Sequence, residues 1–189
     1  MKSTTSMQPK RLNLTQTTLF LVLSAETALF GTLVMSYLFL RSGGSETVFT
    51  HPQPSDVMIA SLNTLVLLAS AVFAWNAHRA ISQGQLKRLK SCLLLTLLLG
   101  AIFFAGQVFE FRHSGMRIDN SIFGAIFFAL ISFHALHVLA GMTALGLNYA
   151  RARLGDFNLD RHVAVTAGTW FWYYVVAVWI VLFTVLYLV

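Results

Sequence analysis

The chain has 189 residues, of which 57% are hydrophobic and only 11% are charged, and its mean hydropathy is +0.70. Soluble domains carry roughly a quarter of their residues as Asp, Glu, Lys and Arg, so this composition excludes an ordinary soluble domain and indicates an integral membrane protein. The net charge of +6 comes from basic residues that flank the apolar runs, a distribution that argues against nucleic-acid binding.

Five apolar runs follow a polar, lightly basic N-terminal tail, residues 1–16, which we predict to be cytoplasmic. A bilayer crossing takes about 20 helical residues, and each run is about that long or longer. None alternates polar and apolar residues as a barrel strand does. The predicted fold is therefore all-α, an integral membrane bundle of five transmembrane helices within a single domain, residues 17–189. The predicted spans are 17–40, 57–77, 91–109, 121–150 and 163–189.

Basic residues are unevenly divided between the two sides of these spans. Ten of the thirteen Lys and Arg residues lie in the N-terminal tail and in the loops after the second and fourth runs. The other three lie on the opposite side. Because cytoplasmic loops carry the excess of basic residues, we predict a cytoplasmic N-terminus and a periplasmic C-terminus.

Ionisable side chains are rare inside the runs, and three of them fall near the middle of the bilayer. Glu26 lies in the first run, and His134 and His137 lie in the fourth. Charge at that depth is expensive and usually faces a protein interior or a water path. Since residues three apart share roughly one helix face, we predict a buried polar cluster of Glu26, His134 and His137.

This predicted cluster has three interpretations. It is a hydrogen-bonded group that fixes helix packing, a proton-handling or gating site, or a metal or haem ligand set. A haem held between helices needs axial ligands on two spans, and only the fourth run carries deep histidines. We therefore expect no metal or haem in this chain.

A second polar pair lies near the outer end of the third run. Gln107 and Glu110 are three residues apart and face the same way. Glu110 either pairs with Arg112 or Arg117 in the following loop or is a solvated charge at a helix end. The sequence contains no phosphate-binding glycine loop, paired cysteines, zinc-protease motif or nucleophile elbow, so we predict a scaffold or conduit rather than an enzyme.

Several motifs resemble subunit III of the haem–copper terminal oxidases. The fourth run contains FHALHVLAG, which is similar to the family's F-H-x-L-H-V-x-x-G segment. Upstream lie NTLVLLAS and QVFEF, similar to the family's N-T-x-x-L-L-x-S run and Q-x-x-E-[YFW] element. The segment SAETALF places the family's carboxylate at Glu26. The last run resembles the family's W-x-W-H-[FL]-x-D-x-V-W ending, except that Tyr173 and Val176 replace its His and Asp.

The resemblance covers residues 17–189 and implies the short five-helix bacterial form of the family. It implies an accessory subunit without haem or copper, packed beside the catalytic subunit I and subunit II in a bacterial inner membrane. It also implies support for oxygen access and sustained proton uptake by the catalytic subunit. A bound phospholipid is implied in a cleft between the first two helices and the remainder. The polar cluster of that cleft would be Glu26 with His134 or His137, and Arg79 is a candidate for the lipid headgroup.

Other functions remain open at the level of sequence. The relatives of the oxidase subunit include subunit III of quinol oxidases and a similar protein associated with nitric oxide reductase. A different class is a membrane cytochrome that uses His134 or His137 as a haem ligand. A third class is a small proton-coupled transporter.

Overall fold

The structure, a computed structural model, is helical over almost all of the residues that it describes, 14–43, 54–113, 122–155 and 163–188. Five of its segments are long and apolar enough to cross a membrane, which confirms the prediction of five such helices. Helices α1 to α4 continue past their predicted apolar runs at one end or both, whereas α5 begins at the predicted residue and ends earlier than predicted. The helices are α1, Leu14–Gly43; α2, Pro54–Ser82; α3, Leu86–His113; α4, Ile122–Leu154; and α5, Val163–Phe183. A π-helical turn, Thr184–Leu188, continues α5.

Helices α2 to α5 form a closed ring. Helix α2 packs against α3 and α5, and α4 packs against the same two helices. The interior of this ring is filled by large side chains that are fully buried, among them Phe103, Trp172 and Trp179. A tight turn joins α2 to α3: Gly84 has a φ of 68°, which favours glycine, and Gln85 N donates to Ala80 O at 2.9 Å.

Helix α1 lies outside the ring, against α4 and α5. Of its described side chains, only Phe30 and Tyr37 are buried. The extensive contacts of α1 do not include α2, so the first two helices do not stand as a pair opposite the other three. The packing of α1 does not show the expected lipid cleft between the first two helices and the remainder, and that cleft stays a prediction.

Candidate functional site

Glu26 and His137 meet where α1 crosses α4. Glu26 Oε2 lies 3.1 Å from His137 Nε2, and the Glu26 and His137 side chains are 32% and 15% exposed. The imidazole of His137 packs edge-on against Phe30 of α1 and stacks on Phe171 of α5, with ring centroids 5.1 and 6.2 Å apart. The only described carboxylate of α1 is thus aligned with a histidine that is fixed by two aromatic rings.

The hydrogen bonds of His137 determine how many protons this contact holds. His137 Nδ1 lies 2.7 Å from the carbonyl oxygen of Phe133, one turn earlier in α4. A carbonyl only accepts, so Nδ1 must carry a proton and donate. The short contact between Nε2 and Glu26 then needs one further proton, on either the imidazole or the carboxyl group. A proton between Nε2 and the carboxyl oxygen makes this contact a hydrogen bond that joins α1 to α4.

His134 lies apart from this pair. It is 2% exposed, and its ring packs against Trp179 of α5 and edge-on to Phe103 of α3, with centroids 5.1 and 6.2 Å away. Three helical residues advance about 300°, which leaves the two histidines about 60° apart around α4. That angle is enough for His137 to face α1 while His134 faces the interior of the ring. The structure brings Glu26 and His137 together, and it does not bring His134 to them.

Hydroxyl groups of α2 hold two tryptophans of α5. Trp172 Nε1 donates to Ser70 Oγ at 3.0 Å, and Trp179 Nε1 donates to Thr64 Oγ1 at 2.9 Å. All four residues are buried. The sequence analysis identified the motifs that contain these residues, but it did not predict which hydroxyl bonds to which tryptophan. The spacing of the residues could have predicted these bonds. The two hydroxyls are six residues apart on α2 and the two indoles are seven apart on α5, so both pairs can meet when the helices run antiparallel.

Glycines make room for these polar contacts. A Cβ atom at Gly100 of α3 or Gly141 of α4 would come within 2.9 Å of the Trp172 ring, so the indole lies between the two helices where they approach closely. A Cβ at Gly106 would meet the Asn63 amide at 2.7 Å, and Asn63 Nδ2 donates to Phe103 O at 3.1 Å. Asn63 of α2 therefore reaches α3 through the gap at Gly106, and Gly100 and Gly141 leave room for the Trp172 ring.

The polar pair Gln107 and Glu110, near the C-terminal end of α3, gains a third member. Gln107 Nε2 lies 3.4 Å from Glu110 Oε2, and Tyr187 of the π-helical turn donates to Glu110 Oε1 at 2.5 Å. The role of Tyr187 was missed, since a tyrosine in an apolar C-terminal run carries no signal of its partner. Arg117 lies outside the described residues, and Arg112 is exposed.

Three other residues named in the sequence analysis, Arg79, Tyr173 and Val176, lie in different environments. Arg79 is exposed in the last turn of α2. Tyr173 is partly buried on α5, and its hydroxyl has no hydrogen-bond partner among the described residues. Val176 is 5% exposed and belongs to the apolar core. A buried valine makes no polar link, so the position at which the family motif has Asp is used here for apolar packing.

The described residues do not form a metal centre. Within 14–43, 54–113, 122–155 and 163–188, no three His, Cys, Asp or Glu side chains are grouped so that they could hold an ion. Haem ligation fits the histidines poorly as well. Both nitrogens of His137 are engaged, and His134 is enclosed by rings that leave no face open for a porphyrin.

Comparisons with known proteins agree with the motifs. The family model described as cytochrome c oxidase subunit III matches residues 16–189. A cytochrome c oxidase subunit 3 from Thermostichus vulcanus is 30% identical over 171 residues, covering 90% of this chain and 85% of that protein. Those of Danio rerio and Loxodonta africana are 38% and 37% identical, covering 75% and 67% of this chain. The chain spans about half the length of these two vertebrate relatives, 53% and 48%.

Proposed function

The chain belongs to the cytochrome c oxidase subunit III family, the accessory subunits of haem–copper oxidases, and we propose that it serves such an oxidase as a membrane scaffold without redox centres of its own. The observation that carries the proposal is how the family's motif residues are used. Thr64 and Ser70 hold tryptophans, and Glu26 holds His137. Every one of these contacts joins two helices of the bundle.

The partners follow from that role. We propose that the chain binds the catalytic subunit I and subunit II, in which haem and copper carry out oxygen reduction, and that it supports proton uptake and oxygen access there. The described surface of α1 supports this, because most of its residues are exposed and could contact a neighbouring subunit or lipid. A quinol oxidase would use the same scaffold, since the electron donor binds other subunits.

The membrane arrangement is part of the proposal. Residues 1–16 form a cytoplasmic tail, residues 17–189 form one transmembrane domain, and the C-terminus is periplasmic in a bacterial inner membrane. The distribution of Lys and Arg supports this orientation. Phospholipid is expected along the bundle, and the exposed guanidinium of Arg79 at the inner end of α2 suits an anionic headgroup.

Co-purification from native membranes tests the proposal directly. Affinity-tagged chain, solubilised in mild detergent, is expected to bring down a larger polypeptide that carries haem and copper. Membranes with the untagged chain, processed identically, are the control. Recovery of the chain alone and colourless would contradict the scaffold role. Recovery of the chain alone with a haem spectrum would support the membrane cytochrome instead.

A further inference from the structure

His134 combines complete burial with two unsatisfied polar atoms. It is 2% exposed, and neither Nδ1 nor Nε2 has a hydrogen-bond partner within the described parts of the chain. A neutral imidazole has one nitrogen that donates and one that accepts. Leaving either unpaired in a protein interior is costly, and most buried side-chain polar atoms are bonded to protein or to ordered water.

The surroundings of His134 restrict what supplies the missing bonds. Its ring lies on α4 inside the closed ring of helices, flanked by Phe103 of α3 and Trp179 of α5. Because the side chain is enclosed, a lipid headgroup or a side chain of another subunit has no access to it. The partner must be small and must both donate and accept. We propose that His134 binds ordered water inside the bundle, in a site between α3, α4 and α5.

Polar groups of α2 adjoin the residues that flank this ring. Asn63 Nδ2 donates to the Phe103 carbonyl, and Thr64 Oγ1 accepts from Trp179. A buried water typically makes about three hydrogen bonds, so it needs partners beyond one imidazole nitrogen. Thr64 Oγ1 already donates its proton to the Ala60 carbonyl at 2.7 Å, so the side-chain oxygens of Asn63 and Thr64 form the second side of the water site as acceptors.

The proposed site is separate from the Glu26 pair. Both nitrogens of His137 are engaged, one with the Phe133 carbonyl and the other with Glu26. No nitrogen of His137 remains to hydrogen-bond a water at His134. The bundle therefore holds two independent polar sites on α4, one that joins α1 to the ring and one that hydrates its interior. This inference does not depend on the proposed oxidase role.

A map of the purified protein, with the subunits that accompany it, tests the site. At a resolution that reveals other ordered waters, we expect density at hydrogen-bond distance from one or both ring nitrogens of His134. Ring nitrogens that contact only protein atoms would overturn the proposal. So would a density with the short distances and several ligands of a metal ion.

A substitution at His134 gives a second test, because the thermal midpoint should change in opposite directions if the ring nitrogens bond water and if they are unpaired. His134→Leu places an apolar side chain of similar volume at the site. If the nitrogens bond water, this variant displaces it and strands its other partners, so the thermal midpoint should fall by about 2–6 °C. If the nitrogens were unpaired, removing them would raise the midpoint, and the proposal would fail. Leu130→Met, one turn earlier and equally buried, is the matched control and should change the midpoint little.

Discussion

Glu26 and His137 differ from the other deep polar residues in being ionisable groups that bond to each other across two helices. The hydroxyls of Ser24, Thr27 and Thr32 on the same helix each return to a carbonyl of their own helix. The Glu26 contact instead attaches α1 to α4, and Phe30 adds an apolar contact to the same imidazole.

Two substitutions at Glu26 test whether its contact with His137 acts as a hydrogen bond. Glu26→Gln retains a donor that can face His137 Nε2, whereas Glu26→Ala removes it. We expect the glutamine variant to keep the wild-type thermal midpoint and the alanine variant to lose about 1 kcal/mol, the net value of one hydrogen bond. In the oxidase, Glu26→Ala should keep the initial rate of oxygen consumption and lose activity faster during sustained turnover. Equal losses in both variants would mean that the negative charge itself, not the hydrogen bond, matters.

Thr64 tests whether the α2 hydroxyls hold the tryptophans. Thr64→Val keeps the shape of the side chain but leaves the buried N–H of Trp179 without its acceptor, at an expected cost of about 1–3 kcal/mol. Thr143→Val is the matched control, because its exposed hydroxyl bonds only to the Leu139 carbonyl of its own helix. Thermal denaturation in detergent, followed by tryptophan fluorescence, measures both. A cost at Thr64 no larger than at Thr143 would contradict the assignment.

At the scale of helices, close packing depends on where glycine occurs. Lipid chains are as apolar as leucine, so helices in a membrane associate through close fit and hydrogen bonds more than through the hydrophobic effect. Gly100 and Gly141 provide that fit by letting the Trp172 ring lie between α3 and α4. Gly146 lies on the same helix as Gly141 with no atom within 4 Å of the position of its Cβ.

Alanine at these two glycines of α4 should therefore have opposite effects. Gly141→Ala places a Cβ 2.9 Å from Trp172 and should destabilise the bundle by about 1–3 kcal/mol through overpacking. Gly146→Ala meets open space, and its effect should be neutral or slightly stabilising because alanine favours helix. The thermal midpoint of each purified variant decides the matter. Equal midpoints would show that Trp172 moves without cost and does not fix the helix spacing.

The sequence predicted the helices better than their arrangement. Hydropathy and length are local properties, so all five spans were predictable to within several residues. The position of α1 outside the ring was not predictable, because an apolar helix surface has the same composition whether it faces other helices or lipid. The separation of His134 from His137 was missed for a related reason. A spacing of three residues permits a shared face, and the neighbouring helices decided which ring turned inward.

At the scale of the whole molecule, the closed ring and the attached α1 have different surroundings. The ring buries polar side chains on its inside and presents leucines and other apolar residues outside. Of the described side chains of α1, only Phe30 and Tyr37 are buried, so this helix depends on lipid or on another subunit for most of its environment. Loss of the Glu26 contact should therefore loosen α1 while the ring persists, which is why we expect Glu26→Ala to cause slow inactivation rather than an immediate loss of activity.

Orientation is a property of the entire chain, and two matched cysteine substitutions test it. Ser42 and Ser82 are exposed near opposite ends of the bundle, and each hydroxyl bonds to a carbonyl of its own helix. The native Cys92 is buried, so it should not react with a membrane-impermeant maleimide. In right-side-out spheroplasts, Ser42→Cys is expected to be labelled at once and Ser82→Cys only after permeabilisation. The reverse pattern would invert the proposed topology, and labelling of both in intact spheroplasts would mean that α2 does not cross the membrane.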